Sequence, residues 1–175
     1  MKNLTVRRLT MTALLAAVYA ALTMGLGFIS YESVQFRIAE ALCVLPFFFP
    51  WTAWGLFLGC VIANLLSPAG ILDVVFGSLA TLLSCLAVAA LGRGGRRRWA
   101  GCILACLMPV LFNAVIVGAV ITFALTPPLA SAPVWPVFLM NALSVGAGEA
   151  AVLFALGLPA LRFLPRSRVY PLLQN

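Results

Sequence analysis

The stretch QFRIAEALCVLPFFFP, residues 35–50, decides the fold of this chain. It begins an apolar run with two charged side chains, Arg37 and Glu40, and then places Pro46 and Pro50 inside that run. Proline lacks the backbone N–H and its ring clashes with the preceding turn, so it ends or kinks a helix. Whether the apolar segment 38–65 forms one helix or two therefore depends on these residues.

The composition of the chain indicates a membrane protein. Of the 175 residues, 64% are hydrophobic, only 9% are charged and none is histidine, whereas a soluble domain carries about 25% charged residues. The length suits one domain, which we place at residues 1–175. The basic start and apolar run of residues 1–25 are similar to a signal peptide. We find no convincing cleavage site and interpret the run as a retained first helix.

The basic residues indicate which ends of the helices face the cytoplasm. All of them except Arg37 fall in three clusters that flank apolar segments. The clusters are Lys2, Arg7 and Arg8; Arg93, Arg96, Arg97 and Arg98; and Arg162, Arg166 and Arg168. This distribution is typical of topology control by cytoplasmic basic loops, so the net charge of +7 does not indicate a nucleic-acid partner. Contact with anionic lipid headgroups is a secondary interpretation.

The cysteines do not indicate a metal site. All five lie in apolar runs, so they imply no disulfide framework. Cys102 and Cys106 are four residues apart and share a helix face, but without histidine they are better interpreted as small buried apolar side chains. We predict no metal and no cofactor.

The apolar segments are 9–27, 38–65, 72–92, 99–124 and 135–161. With 38–65 as one helix, the basic clusters fall on opposite sides of the membrane, which the positive-inside rule disfavours. Splitting it near the two prolines gives helices at about 9–27, 38–49, 51–65, 72–92, 99–124 and 135–161. We therefore predict an all-α bundle of six transmembrane helices with both termini in the cytoplasm. The two short halves must tilt or be shielded by neighbouring helices.

Polar side chains gather in the outer half of this predicted bundle. An ionised side chain at the centre of a membrane helix costs about 2.5–3.5 kcal/mol, so such residues are usually functional. Glu149 near mid-depth of the last helix is the clearest case. We predict a pocket that opens outward. Its candidate polar residues are Gln35, Arg37, Glu40, Asn64, Asp73, Asn113, Asn141 and Glu149.

Each of these residues also has a purely structural interpretation. Asn113 and Asn141 would then only hold helices together by hydrogen bonds. Asp73 would be a helix N-cap, Arg37 and Glu40 would neutralise one another, and Glu149 would belong to a buried structural pair. The convergence of so many polar groups at one depth makes packing alone the weaker explanation.

Small residues form stripes that allow close helix packing in lipid. On helix 3, Gly55, Gly59 and Ala63 indicate internal packing. Helix 1 carries two adjacent stripes, so one can pack inward while the other is available to a partner protein. These stripes are Ala13, Ala17 and Ala21, and Ala16 and Ala20.

Four segments together resemble the QueT family of queuosine-precursor transporters, and the resemblance runs from about residue 10 to 162. The segments are QFRIAEALCVLPFFFP, GLFLGCVIANLLSPAGILDVVFGSLATL, NAVIVGA and GAGEAAVLFALGLP. The family consists of substrate-binding (S) components of energy-coupling-factor (ECF) transporters. The resemblance implies a multi-pass protein of the cell membrane that captures a micronutrient from outside.

The resemblance also implies protein partners, namely an ECF transmembrane coupling protein and two cytoplasmic ATPases. The chain has no G-x-x-x-x-G-K-[ST] phosphate loop of its own, so we predict a transporter subunit and not an enzyme. In the family, an alanine motif on helix 1 contacts the coupling protein. The two helix-1 stripes supply the matching positions.

The ligand that the resemblance implies is a 7-deazaguanine, such as an aminomethyl-deazaguanine or queuine. A carboxylate, from Glu149 or Glu40, can accept the parallel N1–H and N2–H₂ donors of such a ring. Asn113, Asn141 and Asp73 would assist, and a second carboxylate could meet the aminomethyl cation. Candidates to stack on the ring are Tyr31, Phe36, Phe76 and Phe112.

Two other functions stay open at this point. An S component for a different vitamin fits the same composition. An integral-membrane enzyme is far less favoured, because the sequence shows no histidine, no metal motif and no nucleophile–base pair.

Overall fold

A computed structural model describes residues 2–30, 36–95, 99–124, 133–168 and 170–174. These residues form helices joined by turns, with no strand among them, so the predicted all-α class is confirmed. The helices are α1 (Lys2–Gly25), α2 (Ile38–Phe47), α3 (Thr52–Asn64), α4 (Asp73–Gly77 continuing as Ser78–Gly95), α5 (Trp99–Ala124), α6 (Val134–Val152 continuing through Leu153–Gly157 and Leu158–Phe163) and α7 (Tyr170–Gln174). Single turns lie at Gly27–Ser30 and Leu164–Arg166.

Four helical segments in the described ranges are long and apolar enough to cross a membrane. They are Val6–Gly25, Asp73–Gly94, Trp99–Ala124 and Val134–Arg166. Two shorter apolar helices, α2 and α3, lie between the first and second of these.

α2 is a 3₁₀-helix and not an α-helix. Its ten residues form an uncommonly long 3₁₀ run, with Pro46 inside it and Phe48 donating its N–H to the carbonyl of Leu45. A 3₁₀-helix rises about 2.0 Å per residue, so the ten residues of α2 extend about 20 Å. The same number of residues in an α-helix would extend only about 15 Å. Helical geometry resumes at Thr52, so the segment that contains the two prolines forms two helices.

α1 and α3 pack closely and run parallel. A Cβ atom at Gly55 would approach the carbonyl oxygen of Thr12 to 2.7 Å, and one at Gly59 would approach that of Ala16 to 2.7 Å. Both approaches are too short for a real side chain, so glycine is required at these positions. Residue numbers rise together along the two helices, which means that the chain returns through α2 between them.

α2 and α4 also run parallel. Arg37 contacts Asp73, and Glu40 contacts Thr81. Further along, Gly92 packs against the backbone of Phe47 so closely that a Cβ atom there would overlap the Phe47 carbonyl group. The first half of α2 therefore meets the first half of α4, and their last turns lie side by side.

α5 and α6 are antiparallel neighbours. Asn141 donates a hydrogen bond to Thr122 at 3.0 Å, and Asn113 donates one to Glu149 at 3.0 Å. Between these contacts Gly118 packs on the backbone of Ala142, where an added Cβ would lie 2.8 Å from the Ala142 Cα. This close approach sets the register that brings Asn113 to Glu149.

The arginine-bearing ends of the helices lie together at one end of the bundle. Arg162 near the end of α6 lies over the ring of Trp99 at the start of α5, 5.1 Å from its centroid. Tyr170 in α7 packs against Phe48 and Phe49 in the turn between α2 and α3, at centroid distances of 5.7 and 5.1 Å. The Arg37 and Asp73 side chains lie towards the opposite end.

Candidate functional site

A set of buried polar side chains, here called the polar cluster, lies inside the bundle. Its members lie on α3, α4, α5 and α6, in the first turn of α2, and immediately before α2. They are Arg37, Glu40, Asn64, Asp73, Asn113 and Glu149, all at most 2% exposed. α6 packs against α2, where a Cβ atom added at Gly157 would lie 3.0 Å from Val44 Cγ1, so the α2–α4 part and the α5–α6 part of the cluster lie on neighbouring helices.

Arg37 forms an ion pair with Asp73, with 3.1 Å between Nη2 and Oδ2. Its Nε donates to the backbone carbonyl of Ser30 at 3.5 Å. The ion pair therefore holds the start of α2 against the start of α4. The N-cap interpretation of Asp73 does not describe this geometry, because the carboxylate binds a guanidinium and the helix start around it, within the described residues, has no side-chain cap.

Glu40 has its carboxylate occupied by groups of the protein itself. Tyr19 donates its hydroxyl hydrogen to Oε1, to which Thr81 also donates at 3.3 Å, and the Cys43 thiol donates to Oε2 at 3.0 Å. Both oxygens thus accept hydrogen bonds inside the bundle. Of the two carboxylates predicted to bind the ligand, Glu40 is the one already satisfied.

A π-helical turn at the start of α4 shapes the Asn64–Asp73 part of the cluster. The Asp73 carbonyl accepts the Ser78 N–H, five residues on, and also the Asn64 amide at 2.9 Å. Gly77 lies directly under both side chains, since a Cβ there would overlap the Asp73 carboxylate and lie 2.9 Å from Asn64 Nδ2. π-Turns of this kind are frequent at functional sites.

Glu149 and Asn113 form the α5–α6 part of the cluster. Asn113 Nδ2 donates to Glu149 Oε1 at 3.0 Å, which fixes the orientation of the amide. A second π-helical turn, Leu153–Gly157, follows Glu149 on α6. The two cluster residues Asp73 and Glu149 therefore each lie on a helix that also contains a π-turn.

Four buried oxygens of the cluster have no hydrogen-bond partner among the described residues. We call them the unpaired acceptors: Asn64 Oδ1, Asp73 Oδ1, Asn113 Oδ1 and Glu149 Oε2. A buried polar atom without a partner costs about 1–3 kcal/mol. Because amide and ionised carboxylate oxygens only accept hydrogen bonds, the cluster is complementary to a ligand rich in N–H donors. The hydroxyl of Ser30 is likewise without a partner in the described ranges.

The other predicted site residues lie around or away from the cluster. Asn141 is half-buried and bonds to Thr122, which places it at the α5–α6 contact. Phe36 and Phe76 are 40% and 45% exposed, and Phe112 is half-buried. Tyr31 and Gln35 lie outside the described residues. Within the described part of the chain, no group of metal-ligand side chains comes together.

Sequence reasoning missed the residues that satisfy Glu40, chiefly Tyr19 and Thr81. A signal for Thr81 exists, because Asp73, Gly77 and Thr81 follow one another at helical spacing on one face of α4. Tyr19 is the only hydroxyl-bearing aromatic of helix 1 and lies between two buried alanines, at 0% exposure.

On α1, the two alanine stripes face different surroundings. Ala16 and Ala20 are buried, Ala16 directly against α3. The other stripe is exposed, together with Leu14 and Val18 beside it; its members are Ala13, Ala17 and Ala21.

Comparison with known proteins identifies the family of the chain. The family model described as QueT transporter matches residues 9–166. The chain belongs to the QueT transporter family. The resemblance predicted from the sequence is thereby confirmed. Membership in a family of transporters, together with the long apolar helices, makes the chain a multi-pass protein of the cell membrane.

One curated relative matches part of this chain. The queuosine precursor transporter QueT of Lactococcus lactis subsp. cremoris (strain MG1363) is 42% identical over 73 residues, which is 41% of this chain and 43% of the relative. The match thus spans less than half of either protein. No solved structure matches the chain.

Proposed function

We propose that this protein is the membrane subunit that binds a queuosine precursor, a 7-deazaguanine base, for uptake into the cell. The observation that carries the proposal is the set of unpaired acceptors inside the bundle. A deazaguanine is rich in donors, because its ring carries N1–H, a 2-amino group and the pyrrole N–H. Family membership and the name of the Lactococcus relative support this class of ligand.

Glu149 is the carboxylate that contacts the base in this proposal. Its Oε2 is among the unpaired acceptors, whereas both oxygens of Glu40 already bind protein donors. Glu40 then has a structural role, because it accepts hydrogen bonds from Tyr19 and Thr81. Asp73 retains one acceptor oxygen beside its ion pair with Arg37.

The proposal includes a six-span topology with both termini in the cytoplasm. The parallel pairs α1–α3 and α2–α4 and the antiparallel pair α5–α6 support it, because they are the relationships that an alternating up-and-down bundle requires. Arg93 and Arg162 lie in the last turns of their helices, and Arg162 lies on Trp99. Basic residues concentrated at one end favour a cytoplasmic position for that end.

The proposal also includes an ECF coupling protein and two cytoplasmic ATPases as partners. The exposed alanine stripe of α1 supports this, since small residues allow a second helix to approach closely in lipid. Ala13, Ala17 and Ala21 are the contact residues that we assign to it. The ATPases would supply the phosphate-binding loop that the chain's own sequence lacks.

Direct binding tests the proposal. The purified full chain is titrated with 7-deazaguanine and its aminomethyl derivative, and in parallel with riboflavin, thiamine and biotin. We expect tight binding of the deazaguanines alone. A Glu149→Gln variant keeps the shape of the side chain but loses its charge, and we expect it to weaken binding at least about tenfold. Failure of every deazaguanine, together with tight binding of another vitamin, would overturn the proposal.

A further inference from the structure

Asn113 and Glu149 each present one side-chain oxygen that no described residue binds. Asn113 Nδ2 binds Glu149 Oε1 at 3.0 Å. Asn113 Oδ1 and Glu149 Oε2 have no partner within the described ranges, although both side chains are almost fully buried. The carboxylate therefore does not stand alone as a two-oxygen acceptor.

The hydrogen bond between the two side chains fixes the orientation of the Asn113 amide. If the Asn113 amide were rotated by half a turn, its carbonyl would face the carboxylate and the two acceptors would repel each other. Its carbonyl oxygen must therefore point away from Glu149 Oε1. This arrangement leaves one acceptor on α5 and one on α6. The Gly118–Ala142 contact holds the two helices in register.

We propose that Asn113 and Glu149 jointly read the 2-amino edge of the base, each accepting a hydrogen bond from it. This inference rests on the proposed function and specifies which part of the ligand decides its affinity. The guanine-like ring offers two parallel N–H bonds along one edge, N1–H and one N–H of the 2-amino group, and the second N–H of that amine points to the adjacent edge. A ring without that amine leaves one buried acceptor unpaired, and sites built to bind a particular N–H discriminate strongly against ligands that lack it.

Asn113 is thus a specificity-determining residue that contacts the base. A merely structural Asn113 would affect all ligands equally, because it would act through the packing of α5 on α6. A base-reading Asn113 affects the ratio of affinities between rings that differ only in the 2-amino group. That ratio separates the two roles.

The experiment compares 7-deazaguanine with 7-deazahypoxanthine, which differs only by lacking the 2-amino group, on the full chain in lipid nanodiscs. We expect the wild-type protein to bind 7-deazaguanine about 10- to 100-fold more tightly, the factor that corresponds to one unpaired buried acceptor. In Asn113→Leu, which has nearly the same volume, the ratio should fall towards one. Thr122→Val is the matched control, because it breaks the Asn141–Thr122 hydrogen bond between the same two helices; its ratio should stay at the wild-type value.

Equal binding of the two bases by the wild-type protein would overturn this inference and leave the proposed function intact. Absence of binding for both bases, and for their aminomethyl derivatives, would overturn the proposed function and this inference with it. If Asn113→Leu does not fold, the wild-type ratio alone still decides whether the 2-amino group is read.

Discussion

Arg37 and Asp73 form an ion pair at 3.1 Å inside the bundle, and each side chain is only 2% exposed. The pair joins the start of the 3₁₀-helix α2 to the π-helical turn of α4. Both elements depart from α-helical geometry where the two charged groups meet. The ion pair therefore connects two helix starts that are not α-helical.

Removing one member of this pair should be costly. Asp73→Asn leaves the guanidinium buried without its counter-charge, and we expect the free energy of unfolding to fall by about 3–5 kcal/mol. Thermal unfolding of the purified protein, followed by tryptophan fluorescence, measures the change. The double variant Arg37→Met with Asp73→Leu removes both charges and should lose less stability than Asp73→Asn. A double variant as unstable as the single one would show that the charge is not the cause.

Gly77 should not tolerate even a methyl group. In Gly77→Ala the new Cβ would overlap the Asp73 carboxylate and crowd the Asn64 amide, so the π-turn must shift and carry both side chains with it. We expect a lower melting temperature and weaker binding of 7-deazaguanine, measured on the same sample. Gly94→Ala on the same helix is the control, because nothing lies within 4 Å of its added Cβ; it should be neutral or more stable by up to about 1 kcal/mol. Equal behaviour of the two variants would contradict the prediction.

A cationic precursor should bind more tightly than a neutral one. The polar cluster contains the carboxyl groups of Glu40, Asp73 and Glu149 but only one guanidinium, that of Arg37. Charge-assisted hydrogen bonds are about twice as strong as neutral ones, so we expect the aminomethyl-deazaguanine to exceed the cyano derivative by at least about tenfold in affinity. Isothermal titration of the two ligands against the wild-type protein measures this. Tighter binding of the nitrile would show that the surplus carboxyl groups do not face the 7-substituent.

The two alanine stripes of α1 should respond differently to a bulky residue. Ala17→Trp lies on the exposed stripe, so ligand binding should persist, while uptake in vesicles reconstituted with the proposed coupling protein and ATPases should be lost. Ala16→Trp is the matched control on the buried stripe, where Gly59 packs against the α1 backbone; it should destabilise the fold itself. Uptake by Ala17→Trp at the wild-type rate would place the partner interface elsewhere.

Much of this architecture could be predicted from residue types. The apolar runs of α4, α5 and α6 are long and continuous, so their existence follows from hydropathy alone. The prolines at 46 and 50, together with the distribution of the basic clusters, predict a break in the segment 38–65. Glu149 was recognisable because a carboxylate is rare at such depth.

Other features depend on contacts that no local pattern contains. The 3₁₀ geometry of α2 and the two π-turns change hydrogen-bond partners by one residue, which side-chain periodicity does not reveal. Which stripe of α1 faces inward depends on the contact between Gly59 and Ala16, which joins two distant parts of the chain. Likewise, the sequence favours Glu149 but leaves Glu40 as an alternative carboxylate for the base, and the donors beside Glu40 distinguish the two.

The short α3 has a consequence for the elasticity of the surrounding bilayer. Its 13 residues extend about 20 Å as an α-helix, whereas the hydrocarbon core is about 30 Å thick. α2 is largely shielded by its neighbours, but α3 turns Trp54, Leu58 and Ile62 outward. In the proposed six-span topology, the bilayer beside that face must become locally thinner, at a cost of fractions of a kcal/mol per Å. The stability of the protein should accordingly rise in membranes of shorter acyl chains.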